Sequence, residues 1–444
     1  MKIFPCFPWM AVLVFGMTAC RHVASPAASD RSVPPAAPAA PAQPGTTTNT
    51  NTPEARASDD AYEQMNLLTR SLLLIRHNYV DASKTTYSNL ITSALNGMLS
   101  SLDPYSQFLE PTEYRDLKED TQGSFGGIGI QIGVKDKILT VIAPMEDTPA
   151  SRAGMLAGDK IVEIDGLRTD SLTLRDAVHR LRGPKGSSTK LKILRGRDLK
   201  EFTLSREEIR VASIKGTRML DDGVGYLRIA DFSEPSATAL LEALRKLETD
   251  HLRALVLDLR NNPGGLLTAA IDCSSLFLKH GDRIVSTRGR SDNPREVVAN
   301  ASGKDHFISF PMAVLVNGGS ASAAEIVAGA LQDNKRAVLV GEPTFGKGSV
   351  QNIIPLDQGN ALRLTTAYYY TPAGRMIHEK GIEPDIVVPI TMDEWPDILR
   401  KRAFIESPTP LPESERPANF EKITDRQLDR AVDLLKGILI FRGR

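Results

Sequence analysis

A multi-domain α/β fold, layered in its largest part, is what the sequence predicts, on three observations. Between about 206 and 390, short apolar runs such as ALVLDL (Ala254–Leu259) alternate with helical stretches and Gly-containing turns, the pattern of a sheet covered by helices. Ahead of them, residues 124–205 read as a series of short strands joined by Gly-rich turns. Helical periodicity brackets both regions. At 444 residues the chain is long enough for two or three domains, and its 54 Lys+Arg balance its 54 Asp+Glu. That balance gives no electrostatic footing for nucleic acid.

The first element reads as an export signal. In MKIFPCFPWMAVLVFGMTAC, Lys2 precedes an apolar run from Trp9 to Met17, too short to span a bilayer and of signal-peptide length. Met17-Thr18-Ala19-Cys20 resembles the lipobox of bacterial lipoproteins, with Met17 in place of the more usual leucine. The expectation is a signal over 1–19 and a lipidated Cys20; a plain cleaved signal is the alternative. Cys6 falls in the signal, so Cys273 remains alone in an apolar helical pattern as a small core residue. No disulfide and no metal site are expected from Cys and His spacing. Residues 20–58 are rich in Pro, Ala, Ser and Thr and read as a tether.

Structure is expected from near Asp59. Tyr62, Met65, Leu68, Leu72 and Ile75 recur at helical spacing. Tyr87, Ile91, Ala94, Leu95, Met98 and Leu102 form a second stripe that stops at Asp103-Pro104. This N-terminal helical segment, 59–122, needs a partner surface, either the main body or another subunit.

The β-rich region, 123–206, resembles a PDZ domain. The resemblance rests on Gly127-Ile128-Gly129-Ile130, on SRAGMLAGDKIVEIDG (151–166) and on the helical stretch at 172–182. Successive backbone N–H groups in a Gly-rich turn can hold a carboxylate, and the strand after it can pair with an extended peptide.

Within 207–390, the strands Ala254–Leu259, Met312–Val316, Ala337–Val340 and Leu362–Tyr370 are interleaved with helices, including Ala323–Asn334. After them, 391–444 is Pro-interrupted, then helical along Leu428, Val432, Leu435 and Leu439. GEPTFGKGSV (341–350) nearly forms a phosphate-binding loop, but Gly348 stands where the magnesium-binding hydroxyl belongs. The following GSVQNIIPL is strand-like, so the helix that would hold the anion is missing too.

Lys347 suits another task. A desolvated, neutral lysine beside a serine can take its proton. Ser322, in NGGSASAAEI, heads an Ala-rich helix, where the Ala323 N–H is free to serve as an oxyanion donor. Ser322-x-x-Glu325 is equally a capping box, and Gly-x-Ser-x-Gly is absent because Ala321 and Ser322 follow Ser320.

GSASAAEI and FGKGSVQ, with Lys347 standing 25 positions after Ser322, resemble the C-terminal processing proteases, the tail-specific peptidases of S41 type. GMLSSLDPYSQFLEPTEY, DLRNNPGGLL and GRMIHEKGIEPD extend the likeness over most of the mature chain. The resemblance implies Ser322 as nucleophile, Lys347 as general base and Gln351 as the residue orienting the lysine. It implies oxyanion donors at Ala323 and at either Gly264 or Gly265. Four residues of straight strand span about 13 Å, so Gly346 and Gly348 must let the chain bend for Gln351 to reach the amine. No cofactor or metal is implied.

Implied partners are proteins or peptides with free C-termini, received by a PDZ groove that often also gates the site, and a membrane reached through lipidated Cys20. A periplasmic location follows, with Arg21 compatible with the outer membrane; a homodimer is open. The competing reading is a non-catalytic tethered PDZ scaffold. His22, His77, His179, His251, His280, His306 and His378 are scattered without a Ser/Asp setting, and His378 reads as structural. Tyr105 stands where the family often has His and is expected to lie outside the site.

Overall fold

The computed structural model describes residues 53–442, apart from 136, 146, 291–295, 304–306, 408–415 and 418. The signal, Cys20, Arg21, most of the tether, His22 and His306 lie outside the described residues. Two compact units divide the chain, one running to Pro104 and the other starting at Tyr105.

In the first unit a helix spans Pro53–Asn78 and a second spans Tyr87–Ser100. The first begins before Asp59, inside the expected tether. PEARASDD carries helix formers but no apolar stripe, so periodicity alone does not reveal that turn. Thr86 caps the second helix, its Oγ1 accepting the Asn89 N–H at 3.2 Å. Much of the apolar surface here, including Tyr62, Met65, Leu68, Ile91 and Met98, is exposed.

The second unit opens with the strand Gln107–Leu109 and the helix Pro111–Gln122. A two-stranded ribbon, Ser124–Gly127 with Glu207–Arg210, then carries the chain into and out of a small β module. Its sheet runs in the order Ile130–Lys135, Ile138–Pro144, Lys160–Ile164, Ser188–Arg195, Asp198–Ser205. Ile128, Val141, Ile161, Ile164, Leu191 and Ile193 fill its core. The helix Leu174–Leu181 starts at Thr173, whose Oγ1 accepts the Asp176 N–H.

The sheet at the main core is ordered Ile214–Met219, Val224–Ile229, Ala254–Asp258, Met312–Val316, Val338–Gly341, Ile386–Val387. Its first pair is antiparallel and the rest parallel. The apolar runs are continuous because both faces are covered. Leu255, Leu257, Met312 and Val314 point toward helices Ser236–Thr249, Leu267–Ser275 and Ala323–Asp333. Ala254, Val256, Ala313 and Leu315 meet Ala431 and Leu435 of helix Arg426–Arg442 on the other face. The C-terminal helix therefore covers the second face of this sheet and is not an appended segment. Cys273 is buried in the first of these cores, where burial pushes its thiol up.

An ionic cluster ties that helix to the sheet. Arg260 is 1 % exposed and holds both oxygens of Asp258 and, at 2.8 Å each, both oxygens of Asp425; Gln427 Oε1 accepts a further bond. Burial alone would push the Asp258 carboxyl up, but the charge and hydrogen bonds of Arg260 outweigh it and hold the group below the usual carboxylate range. A folded value below the unfolded one stabilises the protein above the ordinary range, and that contribution is lost as pH falls through the depressed value. Asp258→Asn, which leaves Arg260 short of charge, is expected to cost about 3–5 kcal/mol in denaturant unfolding at neutral pH. It should also flatten the loss of stability below about pH 4; a variant as stable and as acid-sensitive as the parent would refute this.

Candidate active site

Three loops leave the carboxyl ends of three neighbouring parallel strands, where crevices form in open α/β sheets. Arg260–Leu266 follows Ala254–Asp258, Asn317–Ser322 follows Met312–Val316, and Glu342–Lys347 follows Val338–Gly341. The sheet order alone thus brings PGG, Ser322 and Lys347 to one edge.

Ser322 is 1 % exposed and has φ 54° and ψ −113°, a backbone conformation costly for a residue with a Cβ. The Ser322–Glu325 pair keeps the close reciprocal approach of a capping box, yet Oγ takes no capping hydrogen bond. The Glu325 N–H instead bonds the Ser322 carbonyl at 2.9 Å.

Glu325 does more than cap. Its Oε2 accepts the Ser322 N–H and the Lys347 N–H, each at 2.8 Å. The two backbone nitrogens are therefore no farther apart than twice that length. Its Oε1 accepts from Thr344 Oγ1 at 2.6 Å and from the Gly346 N–H at 2.7 Å. Burial pushes this carboxyl up, and the hydrogen bonds from Thr344, Gly346, Ser322 and Lys347 offset that only in part. The sequence shows Glu325 as half of a capping box; its hold on the lysine loop needs the sheet order.

The glycine loop lies against the same helix start. A Cβ on Gly264 would sit 2.8 Å from Ser322 Cβ and 3.0 Å from Ala323 N. The Gly264 N–H already donates to Asn262 Oδ1 at 2.8 Å. Among the described residues, the N–H groups of Ala323 and Gly265 donate no hydrogen bond.

Lys347 is 7 % exposed. Gly348 allows the loop to press on the next segment, since a Cβ there would lie 2.1 Å from the His378 N. His378 stacks on Tyr368, ring centroids 4.7 Å apart. Gln351 is buried, but its Nε2 donates to Ser349 Oγ at 2.8 Å and its Oε1 has no hydrogen bond. The structure thus does not join Gln351 to the lysine amine. Tyr105 corrects an expectation: its ring centroid is 4.8 Å from Lys347 Nζ, so it belongs to the site.

A cavity of about 370 Å³ opens beside Gly264 and Gly265, walled by Leu117, Phe125, Arg182 and Phe232. In the β module, Ile128 is core, Gly129 has φ 75°, and the N–H groups of both donate no hydrogen bond among the described residues. Strand Ile130–Lys135 is an outer strand of its sheet, Asp198–Ser205 being the other. Among the described residues, no group of three or more His, Cys, Asp or Glu is placed to hold a metal.

Comparison with known proteins adds to this geometry. Residues 223–388 match Peptidase family S41 and residues 140–195 match a PDZ domain. A carboxy-terminal-processing protease of Bartonella bacilliformis is 47% identical over 306 residues, covering 67% of this chain and 69% of that protein. The carboxy-terminal processing protease CtpA of Bacillus subtilis is 34% identical over 334 residues, 75% of this chain and 70% of its own. A solved photosystem II D1 C-terminal processing protease is 30% identical and covers 72% of this chain and 92% of its own, with a TM-score of 0.43.

Glu325→Gln turns an NH₂ group onto one pair of N–H or O–H donors and leaves them without an acceptor. It is expected to lower kcat/KM for peptide hydrolysis by roughly 5- to 150-fold, from about 1–3 kcal/mol of lost positioning. Steady-state kinetics with a parallel thermal unfolding scan checks it; unchanged kcat/KM would mean that the carboxylate only caps the helix.

Proposed function

Since the chain belongs to peptidase family S41, among the carboxy-terminal processing proteases, we propose that it cleaves exported proteins near their C-termini with Ser322 as nucleophile and Lys347 as general base. It is a serine-type peptidase carrying a PDZ domain. The observation that carries the residue assignment is the shared Glu325 Oε2, which ties the Ser322 and Lys347 backbones together.

The chemistry is acyl transfer to water. Neutral Lys347 Nζ takes the Ser322 Oγ proton as Oγ bonds the scissile carbonyl carbon. The N–H of Ala323 and one from the glycine loop hold the oxyanion; Gly265 suits this better than Gly264, whose N–H is occupied. The ammonium returns its proton to the leaving amine, and water, activated by the same lysine, releases the acyl group from Oγ. Gln351 Oε1, buried and without a hydrogen bond, is an acceptor available to steady the amine.

The substrate tail enters the PDZ groove. Its carboxylate meets the Gly127–Ile130 turn, and its backbone adds to the outer strand Ile130–Lys135. Occupancy favours an open state of the site. Three side-chain contacts between the groove helix with its C-cap and helix Pro111–Gln122 offer a route for that coupling. They are Arg175–Glu113 at 2.9 Å, His179–Asp116 at 3.2 Å and Arg182–Asp120 at 3.3 Å. Lipid on Cys20 places the enzyme on the periplasmic side of a membrane, the outer one given Arg21, and the exposed apolar N-terminal helices suit a homodimer.

Ser322→Ala and Lys347→Met are each expected to abolish cleavage of an unfolded protein substrate; parental rates would remove those residues from the mechanism. In the same assay, a C-terminally amidated substrate should be cut more slowly by the parent, and equal rates would end the PDZ part. Cys20→Ser is expected to move the exported protein from the membrane pellet to the soluble periplasmic fraction, and continued pelleting would contradict a lipid anchor.

A further inference from the structure

We propose that Tyr105 is a positioning residue for Lys347, its ring face holding the protonated amine and thereby setting the lower pH limit of the reaction. This rests on the reading of Lys347 as the base.

The placement is built by strand pairing. Tyr105 enters strand Gln107–Leu109, which pairs with Ala361–Tyr370 at Gln107↔Arg363. That long strand also pairs with Ser349–Pro355, which begins two residues after Lys347, at Gln351↔Thr365. Two further bonds fix the approach. Arg363 Nε donates to the Tyr105 carbonyl at 3.0 Å, and the Thr365 N–H donates to Ser106 Oγ at 3.2 Å. The half-buried ring then faces Nζ from 4.8 Å, inside the roughly 6 Å over which an aromatic face attracts a cation.

Lys347 is 7 % exposed, so its amine keeps little contact with bulk water. The ring quadrupole attracts an ammonium and does nothing comparable for a neutral amine. It therefore works against the neutral lysine that must accept the Ser322 proton, and for the ammonium that results from accepting it. The net effect is to move the rise of activity with pH upward while steadying the amine once it is charged. Charged or titratable groups on the elements packed around the loop are Glu325 on the Ala-rich helix, Arg363 and Tyr368 on the long strand, and His378, Glu379 and Lys380 on the segment against Gly346 and Gly348. All of them are common to the variants below.

The test is the pH profile of kcat/KM for a soluble peptide, on the full chain. Tyr105→Leu keeps an apolar side chain but removes the π face. It is expected to shift the ascending limb down by about half a pH unit. Tyr105→Phe keeps the face and should leave the limb in place, and Tyr105→Trp should move it up. If the Tyr105→Leu protein does not fold, the Tyr105→Phe and Tyr105→Trp profiles decide. Coincident limbs for Tyr105→Leu and Tyr105→Phe, a limb that rises in Tyr105→Leu, or a Tyr105→Trp limb that stays with the parent's would overturn the proposal. Lys347→Met separates the two readings. Loss of activity there with no movement in the Tyr105 series sinks only the role of the ring, whereas retained activity sinks the base assignment itself.

Discussion

One carboxylate oxygen, Glu325 Oε2, sets the geometry on which the site depends. It is a single point that both the Ser322 and Lys347 backbones must approach within hydrogen-bonding range. A bond from the Phe345 N–H to the Ser320 carbonyl, at 3.0 Å, joins the same two loops two residues further back in each. Burying a carboxylate is expensive, and four converging donors are what make it tolerable. The same residue starts a helix, joins two loops and supports the strained backbone at Ser322, so a capping pattern common in helices has acquired a second task here.

The sheet supplies the other half of the arrangement. Parallel strands release their loops at one end, and the strands Ala254–Asp258, Met312–Val316 and Val338–Gly341 are direct neighbours. Glycine lets the loops come close: any side chain on Gly264 would collide with the serine, and Gly348 lies against the His378 backbone. The PDZ domain hangs on a two-stranded ribbon at the rim of the cavity, with Phe125 and Arg182 in the cavity wall. Both side chains thus line the mouth of the crevice beside Gly264 and Gly265.

What the sequence made legible follows from range. Apolar runs reveal buried strands because both faces are covered, and Ser322, Lys347 and the glycine pair stand in local motifs. The positions that sequence alone misjudges depend on pairing between distant segments. Tyr105 looks remote because the strand that carries it joins a sheet edge formed by residues above 360. Nothing local to DLRNNPGG shows that Arg260 is a buried clamp, because one of its partners, Asp425, is distant in sequence. Helix Arg426–Arg442 shows an apolar stripe in sequence, but nothing local says that the stripe covers the second face of the main sheet. A bend at two glycines is what would carry Gln351 to the lysine; a bulge between Val350 and Gln351 is present, and the side chain turns to Ser349 instead.

The Arg260 clamp also bears on the order in which the molecule can mature. Its second carboxylate partner lies 165 residues further along the chain. Until the C-terminal helix docks, the Arg260 guanidinium has Asp258 but lacks its second carboxylate, and contacts so distant in sequence close late. A chain that has not yet folded its last helix therefore lacks the rear support of the cleft.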